Sequence, residues 1–507
     1  MFPELNELTE KYPLQSKLFG HRFTQNQTLY EYILEFLLVA VSKKNIGEEN
    51  ELFPLTADVY TNEISYMPEG RVGLKRFVFF EKSKQEGRFQ LDTMAYDLCV
   101  SYIKNKIEID NTKEFIDEDY VISLFQNLLY GFNAVIQNRS WFAQSLLPIC
   151  KEFIFPEIMG IKDKRKKLPY DNQFNDEFKK NVDTLFEKYR YNFMARGGEV
   201  FYLHVLKAIN DYKEYKSDIE KGFESLISQF KEFSNLSNYI DKTWREGSGE
   251  EIETIKINKT LGTIPDGFNA REEKTLIELC NILNSNMHPF EKIDILSYGI
   301  ILQIMTMTYQ QTRNLIEKQP GFLILDINCN RSNSHEEVKK LAVNNYIQYE
   351  EDYLKSLYKN VKGNANKDKF GEDKSEKETI DDAIEDSIKV YRKLGKRIGI
   401  IRPINEKGMR FTLNENILKF LVTSLIPPNS KITLNRFLYK IHDHFKIVIG
   451  QVEYKKEVTN GNADYLSDIS FLDQNKEDFQ LMLRECGFLR ELSDSTSIVE
   501  NPYKGGF

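Results

Sequence analysis

Apolar side chains recur at three- and four-residue spacing in one segment after another, a period that commits most of this chain to helices packed through one face. Val121, Leu124, Phe125, Leu128, Phe132 and Val135 keep it, as do Phe174, Phe178, Val182, Leu185, Phe186 and Tyr189. Thr28 and Glu31 form an S/T-x-x-E capping box at the head of the apolar run 29–41, which predicts a helix start there. Further helices are expected over 199–213, 219–233, 272–285, 289–318 and 335–360. Strand signals are fewer. KRFVFFE (75–81) and 88–91, joined by KSKQEG, read as a hairpin with a longer loop, and GFLILDIN (321–328) reads as a short buried strand. The expected fold class is mainly α with small β insertions: a multi-domain helical protein ending in a winged-helix-like domain. No repeat at a fixed period argues for a solenoid.

Composition bounds the function. With 41% apolar residues over 507 positions, the chain has enough hydrophobic side chain for real cores and for several domains. Lys and Arg number 69 against 77 Asp and Glu, a net −8, so contact with nucleic acid would need a local patch. The five cysteines include no CxxC pair, and their odd number fits a reducing compartment. The N-terminus lacks the apolar stretch of a signal peptide. The most lipid-like runs, 33–41 and 298–307, fall short of the ~18 apolar residues expected of a spanning helix. A cytoplasmic protein with no membrane contact is expected.

Two stretches look like boundaries. Residues 246–269 are rich in Gly, Glu, Thr and Lys, and 362–379 hold one large apolar residue, Phe370. The expected map is an N-terminal mainly helical domain with a β-hairpin insertion (1–160), a helical segment with a basic patch (161–245), a helical segment with one short strand (270–361), a flexible linker (362–379) and a winged-helix-like domain (380–507).

The last unit is the most informative. Asn414 precedes the helical positions Ile417, Leu418, Phe420, Leu421 and Leu425, and Pro427-Pro428 ends that helix. A second helix is expected over 430–445. After a polar insertion, a third is expected over 475–486, closed by Gly487 as a C′ glycine. FLREL (488–492) and SIVEN (497–501) then form a hairpin. Three helices followed by a hairpin is the order of a winged helix. From 409 to 507 there are 12 basic and 13 acidic residues, a net −1, and the third helix opens Asn475-Lys476-Glu477-Asp478. Acids there repel phosphate, which favours protein docking over DNA reading, although they also suit the helix dipole.

Several residues are candidates for chemistry or binding. Arg196-Gly197-Gly198 precedes a helix whose N-terminal N–H groups can hold an anion; the alternative is a tight helix–helix connection. His204 lies between Leu203 and Val205 and reads as a satisfied buried histidine. Arg139 and Trp141 can stack on a base or anchor a partner, or sit at a helix junction. Between 139 and 196 there are 12 basic and 8 acidic residues, a local +4. Lys162, Lys164, Arg165, Lys166 and Lys167 form its densest run, the best phosphate patch in the sequence or else a solvated loop. Asp326 ends an apolar run and, with Glu336 or Glu337 and Lys339, is the one nuclease-like candidate, yet Glu337 and Lys339 diverge on a helix. His442 and His444 likewise point apart and do not converge on a metal. Phosphate-loop, GxSxG and GxGxxG motifs are absent, so no catalytic residue, metal ligand or cofactor is assigned.

The phrases GHRFTQNQTLYEYILEFLLVA (20–40), NRSWFAQSLLP (138–148), MARGGEVFYLH (194–204) and SDSTSIVENPY (493–503) resemble large uncharacterised bacterial proteins encoded in anti-phage defence operons. The resemblance implies a non-enzymatic accessory subunit of a defence complex, with an ATPase or helicase subunit of the same operon as its protein partner and DNA as a second candidate ligand. The alternatives are a degenerate metal-dependent nuclease or effector around Asp326, and a winged-helix transcriptional regulator.

Overall fold

The long helix Pro289–Leu315 organises the molecule, and its sequence explains why. Pro289 occupies the first turn, where its missing N–H costs nothing, and the His288 ring accepts the Phe290 N–H. Ile293, Leu296, Ile300, Ile304 and Met307 on one side, and Ile295, Leu302, Met305 and Tyr309 on others, are all buried. A helix apolar all round must be enclosed, and this one is. Around it pack Glu31–Val41, Glu336–Asn360, Ile388–Ile398 and Glu415–Leu425. Gly299 sets the last approach: a Cβ there would lie 2.2 Å from the Phe420 ring. The computed structural model describes residues 1–4, 12–20, 29–47, 51–78, 90–109, 116–129, 150–154, 158–160, 186–191, 196–249, 259–329, 334–367, 371–404, 407–493 and 496–506. Helices dominate these residues, strands are short, and no described helix is long and apolar enough to cross a membrane.

The main hydrophobic cluster draws side chains from Phe2 through to Val499, so it takes in residues on both sides of 246–269 and of 362–379. Within the first of these stretches, Lys259–Thr260 pairs with Ser65–Met67, which pairs in turn with Lys43–Lys44. Within the second, Asn366 is buried, accepts the Leu14 N–H and donates its own backbone N–H to Thr379. Ser375 then caps the helix Glu376–Glu385 through a capping box with Glu378.

A second cluster joins Val72–Phe77, Gln90–Lys104, Glu118–Leu128 and Lys231–Ser248 around Trp244. Here the hairpin expected over 75–81 and 88–91 is corrected. Residues 72–77 and 90–104 are helical, and 79–89 lie outside the described residues; for the first helix Asp241 reaches across to accept the Leu74 N–H at 2.9 Å and supplies a start that local composition lacks. Two other expectations are also corrected. Phe186–Tyr191 is a strand paired with Ile158–Gly160, not the end of a helix, in keeping with its three aromatic residues in six. The helix expected over 219–233 is two, Lys216–Ile227 and Lys231–Ser248; the first feeds the main cluster and the second the Trp244 cluster. The first long helix begins at Glu31 after Tyr30, and Thr28 lies outside the described residues.

In the C-terminal unit the three expected helices and the hairpin occur with three further elements among them. Glu415–Leu425 is capped by the Asn414 side chain, which accepts from Ile417. The region expected to be wholly helical from 430 begins instead with a strand, Lys431–Thr433, before the helix Leu434–Phe445. The polar insertion contains a strand, Ile447–Val448, and a helix, Gln451–Thr459. The next helix, Phe471–Glu485, is followed by Gly487 at φ 77° and by the strands Leu489–Ser493 and Thr496–Glu500. Thr496–Glu500 is the middle strand of an antiparallel three-stranded sheet, with Lys431–Thr433 on its other side.

This unit is laced into the rest. Ile447–Val448 pairs in parallel with Leu323–Ile324, the only ladder-paired part of the strand expected over 321–328 among the described residues. The Asn475 side chain accepts the Ile327 N–H and donates to the carbonyls of Leu325 and Ile449. A buried ionic hub completes the attachment. Glu278 receives two bonds from Arg271, at 3.0 and 2.7 Å, lies 2.6 Å from His444 Nδ1, and accepts from Gln303 on the long helix.

Candidate functional site

Of the sequence-predicted site residues, Arg139, Trp141, Lys162, Lys164, Arg165, Lys166 and Lys167 lie outside the described residues. The other three stand at the start of the helix Gly197–Asp211, which Arg196 enters with φ 50°. The anion at this helix N-terminus is the protein's own. Glu35, from Glu31–Val41, accepts the Gly198 N–H at 3.0 Å and the Glu199 N–H at 3.3 Å, all buried. A Cβ on Gly198 would lie 2.5 Å from the Tyr32 carbonyl oxygen and 2.6 Å from the Phe36 nitrogen. Gly198 therefore serves close helix–helix approach, and a carboxylate already fills the position proposed for phosphate.

His204 is fully buried, its Nε2 3.0 Å from Thr275 Oγ1. Burial, then the nearby Arg271 and Lys207 charges, push its pKa down to about 3. Neutral in the fold, it gains a proton in the unfolded chain below about pH 6.5, so stability falls as pH drops through that window toward 3, by roughly 1.4 kcal/mol per pH unit. His204→Gln removes this dependence. The stability gap between variant and wild type, read from urea unfolding, should close by about 2 kcal/mol between pH 7 and pH 5; a gap independent of pH would contradict it.

The nuclease-like candidate does not assemble. Asp326 is 1% exposed and its carboxylate is bonded to the Arg410 guanidinium, itself buried. Glu336, Glu337 and Lys339 face solvent on Glu336–Asn360. Among the described residues no three His, Cys, Asp or Glu side chains are grouped to hold a metal ion. His442 and His444 diverge as their spacing requires, one to Glu457 at 2.6 Å and the other to Glu278.

What the C-terminal unit does present is two surfaces of opposite charge. The Phe471–Glu485 helix buries Leu472, Asn475, Phe479 and Leu483 and exposes Asp473, Glu477 and Glu485. The cation exposed on that helix, Arg484, is bonded to Glu491 of the hairpin, where Arg490 also holds Glu500 at 2.7 Å. The neighbouring face, made by Leu434–Phe445 and Gln451–Thr459, exposes Arg436, Tyr439, Val452, Lys455 and Lys456. Tyr439 is 46% exposed, with the Arg436 guanidinium 5.0 Å and the Lys456 ammonium 5.1 Å from its ring centroid. Sequence reasoning missed this face. Arg436 and Tyr439 stand at the i, i+3 spacing that puts them together, but Lys455 and Lys456 fell within what read as a polar insertion. Compared with known proteins, the chain matches no family model and no curated sequence.

Proposed function

We propose that the chain is a non-enzymatic binding subunit whose C-terminal unit is a winged helix used to dock a partner protein through the acidic face of its last helix. The order supports a winged helix: helix, strand, helix, helix and hairpin, with the last strand central in the sheet and the 446–470 insertion as the departure. The observation that carries the docking role is the face exposing Asp473, Glu477 and Glu485. A helix that reads bases in the major groove needs donors for guanine and cations for phosphate, and this one offers carboxylates. A basic surface on a partner is its complement. The resemblance to defence-operon proteins supports an ATPase or helicase subunit of the same operon as that partner.

Asp473, Glu477 and Glu485 are exposed, so changing all three to Lys should leave unfolding unchanged within about 0.5 kcal/mol. Co-expression with the neighbouring operon products, followed by affinity capture, should show wild-type protein retaining its partner and the triple variant losing it. Equal retention by both would refute docking through this face. Submicromolar, sequence-dependent DNA binding by the wild type would favour a regulator instead.

A further inference from the structure

We propose that the face shared by Leu434–Phe445 and Gln451–Thr459 is a sequence-independent nucleic-acid site that grips the phosphodiester backbone with Arg436, Lys455 and Lys456 arranged about Tyr439. The first ground is compensation of charge. Elsewhere on the unit Arg410, Lys419, Arg484 and Arg490 each hold a carboxylate, while Lys431 and Lys504 hold none among the described residues. Arg436, Lys455 and Lys456 have no carboxylate of a described residue within 4 Å, although acids are abundant nearby. The second is preorganisation. The Tyr439 ring attracts a cation from each of two helices, which holds Arg436 and Lys456 in place about one ring and lowers the ordering cost of receiving a polyanion.

The ligand class follows from spacing and from what the face lacks. A nucleic-acid strand carries a dense run of phosphates, one about every 3.4 Å of duplex axis, so several cations on one face meet charges of the same strand, and the planar guanidinium suits phosphate oxygens. Adenine reading would use an amide, and the two side chains beside the cations on these helices, Asn435 and Gln451, are engaged within the protein. Asn435 accepts from Lys476, and Gln451 donates to Asp473. Three cations remain, and phosphate contacts by three outweigh the single guanine contact that Arg436 offers, so the expected binding is to the backbone.

The test uses the full-length protein and fluorescence anisotropy with a labelled duplex, the same strand alone, and a scrambled sequence. All three should bind, with the scrambled sequence within about threefold of the original. Arg436→Glu/Lys455→Glu/Lys456→Glu should weaken binding on the order of 30-fold and reduce the log–log salt slope by about 3, with thermal unfolding unchanged. Tyr439→Ala, which keeps every charge, should cost roughly 3–10-fold by loosening the two cations. The milder Lys455→Ala/Lys456→Ala pair should reduce the slope by about 2. Affinity within twofold of wild type for the folded triple variant would overturn the proposal. So would competition by poly-glutamate as effective as by nucleic acid at equal charge, which would make the face an acidic-protein site. Partner capture through the acidic face is read by a different variant and assay, so failure of either proposal leaves the other intact.

Discussion

Gly198→Ala is expected to destabilise the protein by on the order of 3 kcal/mol or more, and Gly198→Val to abolish folded protein altogether. In an open helix the alanine change would be favourable by about 1 kcal/mol, so the sign alone tests the packing. The cost arises because the new Cβ meets backbone, 2.5 Å from the Tyr32 oxygen and 2.6 Å from the Phe36 nitrogen, and backbone cannot rotate aside. Parting the two helices would also draw Glu35 away from the Gly198 and Glu199 N–H groups. Urea unfolding of Gly198→Ala is the measurement, and a midpoint at or above wild type would refute the account.

Glu278→Ala should cost roughly 3–5 kcal/mol, since it leaves the buried Arg271 without its counter-charge and strips His444 and Gln303 of a shared acceptor. Partial relief comes from Phe445, whose ring centroid lies 4.6 Å from the Arg271 guanidinium. Burial by itself would raise the Glu278 pKa, but Arg271 and the bond to His444 outweigh it and hold the carboxyl below its usual range. The pair's stabilisation is therefore complete above the unfolded carboxyl value of about 4.3 and is lost as pH falls through the lower folded value. Glu278→Gln should flatten stability below about pH 4 while lowering it at neutral pH. Parallel acid-unfolding curves for the variant and wild type would contradict this.

The parts legible in the sequence were those whose determinants are local. Asn414 as a cap, Gly487 as a helix stop and the apolar period of the 289–315 segment each declare themselves within a few residues. The parts that were not legible depend on distant partners. Phe77 belongs to a β-rich phrase, yet it ends the helix Val72–Phe77, in which Asp241, 167 residues from Leu74, accepts the Leu74 N–H. In the sequence Glu35 is only a charge within the apolar run 33–41; its role appears when Gly198, 163 residues on, brings a helix N-terminus to it. Lys431–Thr433 is too short to announce a strand, and its partner arrives at Thr496–Glu500. The oppositely charged faces of the C-terminal unit required the fold of 446–470, since composition averages them to near zero.

The lacing of Asn475 into the backbone at Leu325 has a consequence for how the chain is made. Asn475 lies 150 residues downstream of Leu325. At about 5–20 residues per second, a ribosome takes roughly 8–30 s to deliver it after Leu325 emerges. For most of that interval, until Glu415–Leu425 and then Ile447–Val448 have been made, the long apolar helix lacks the cover of the first and the edge at Leu323–Ile324 lacks the second as its ladder partner. The nascent chain is thus a natural client for chaperones that shield apolar segments and strand edges. A chain released before Asn475 should be captured by them or aggregate rather than persist as a smaller folded protein.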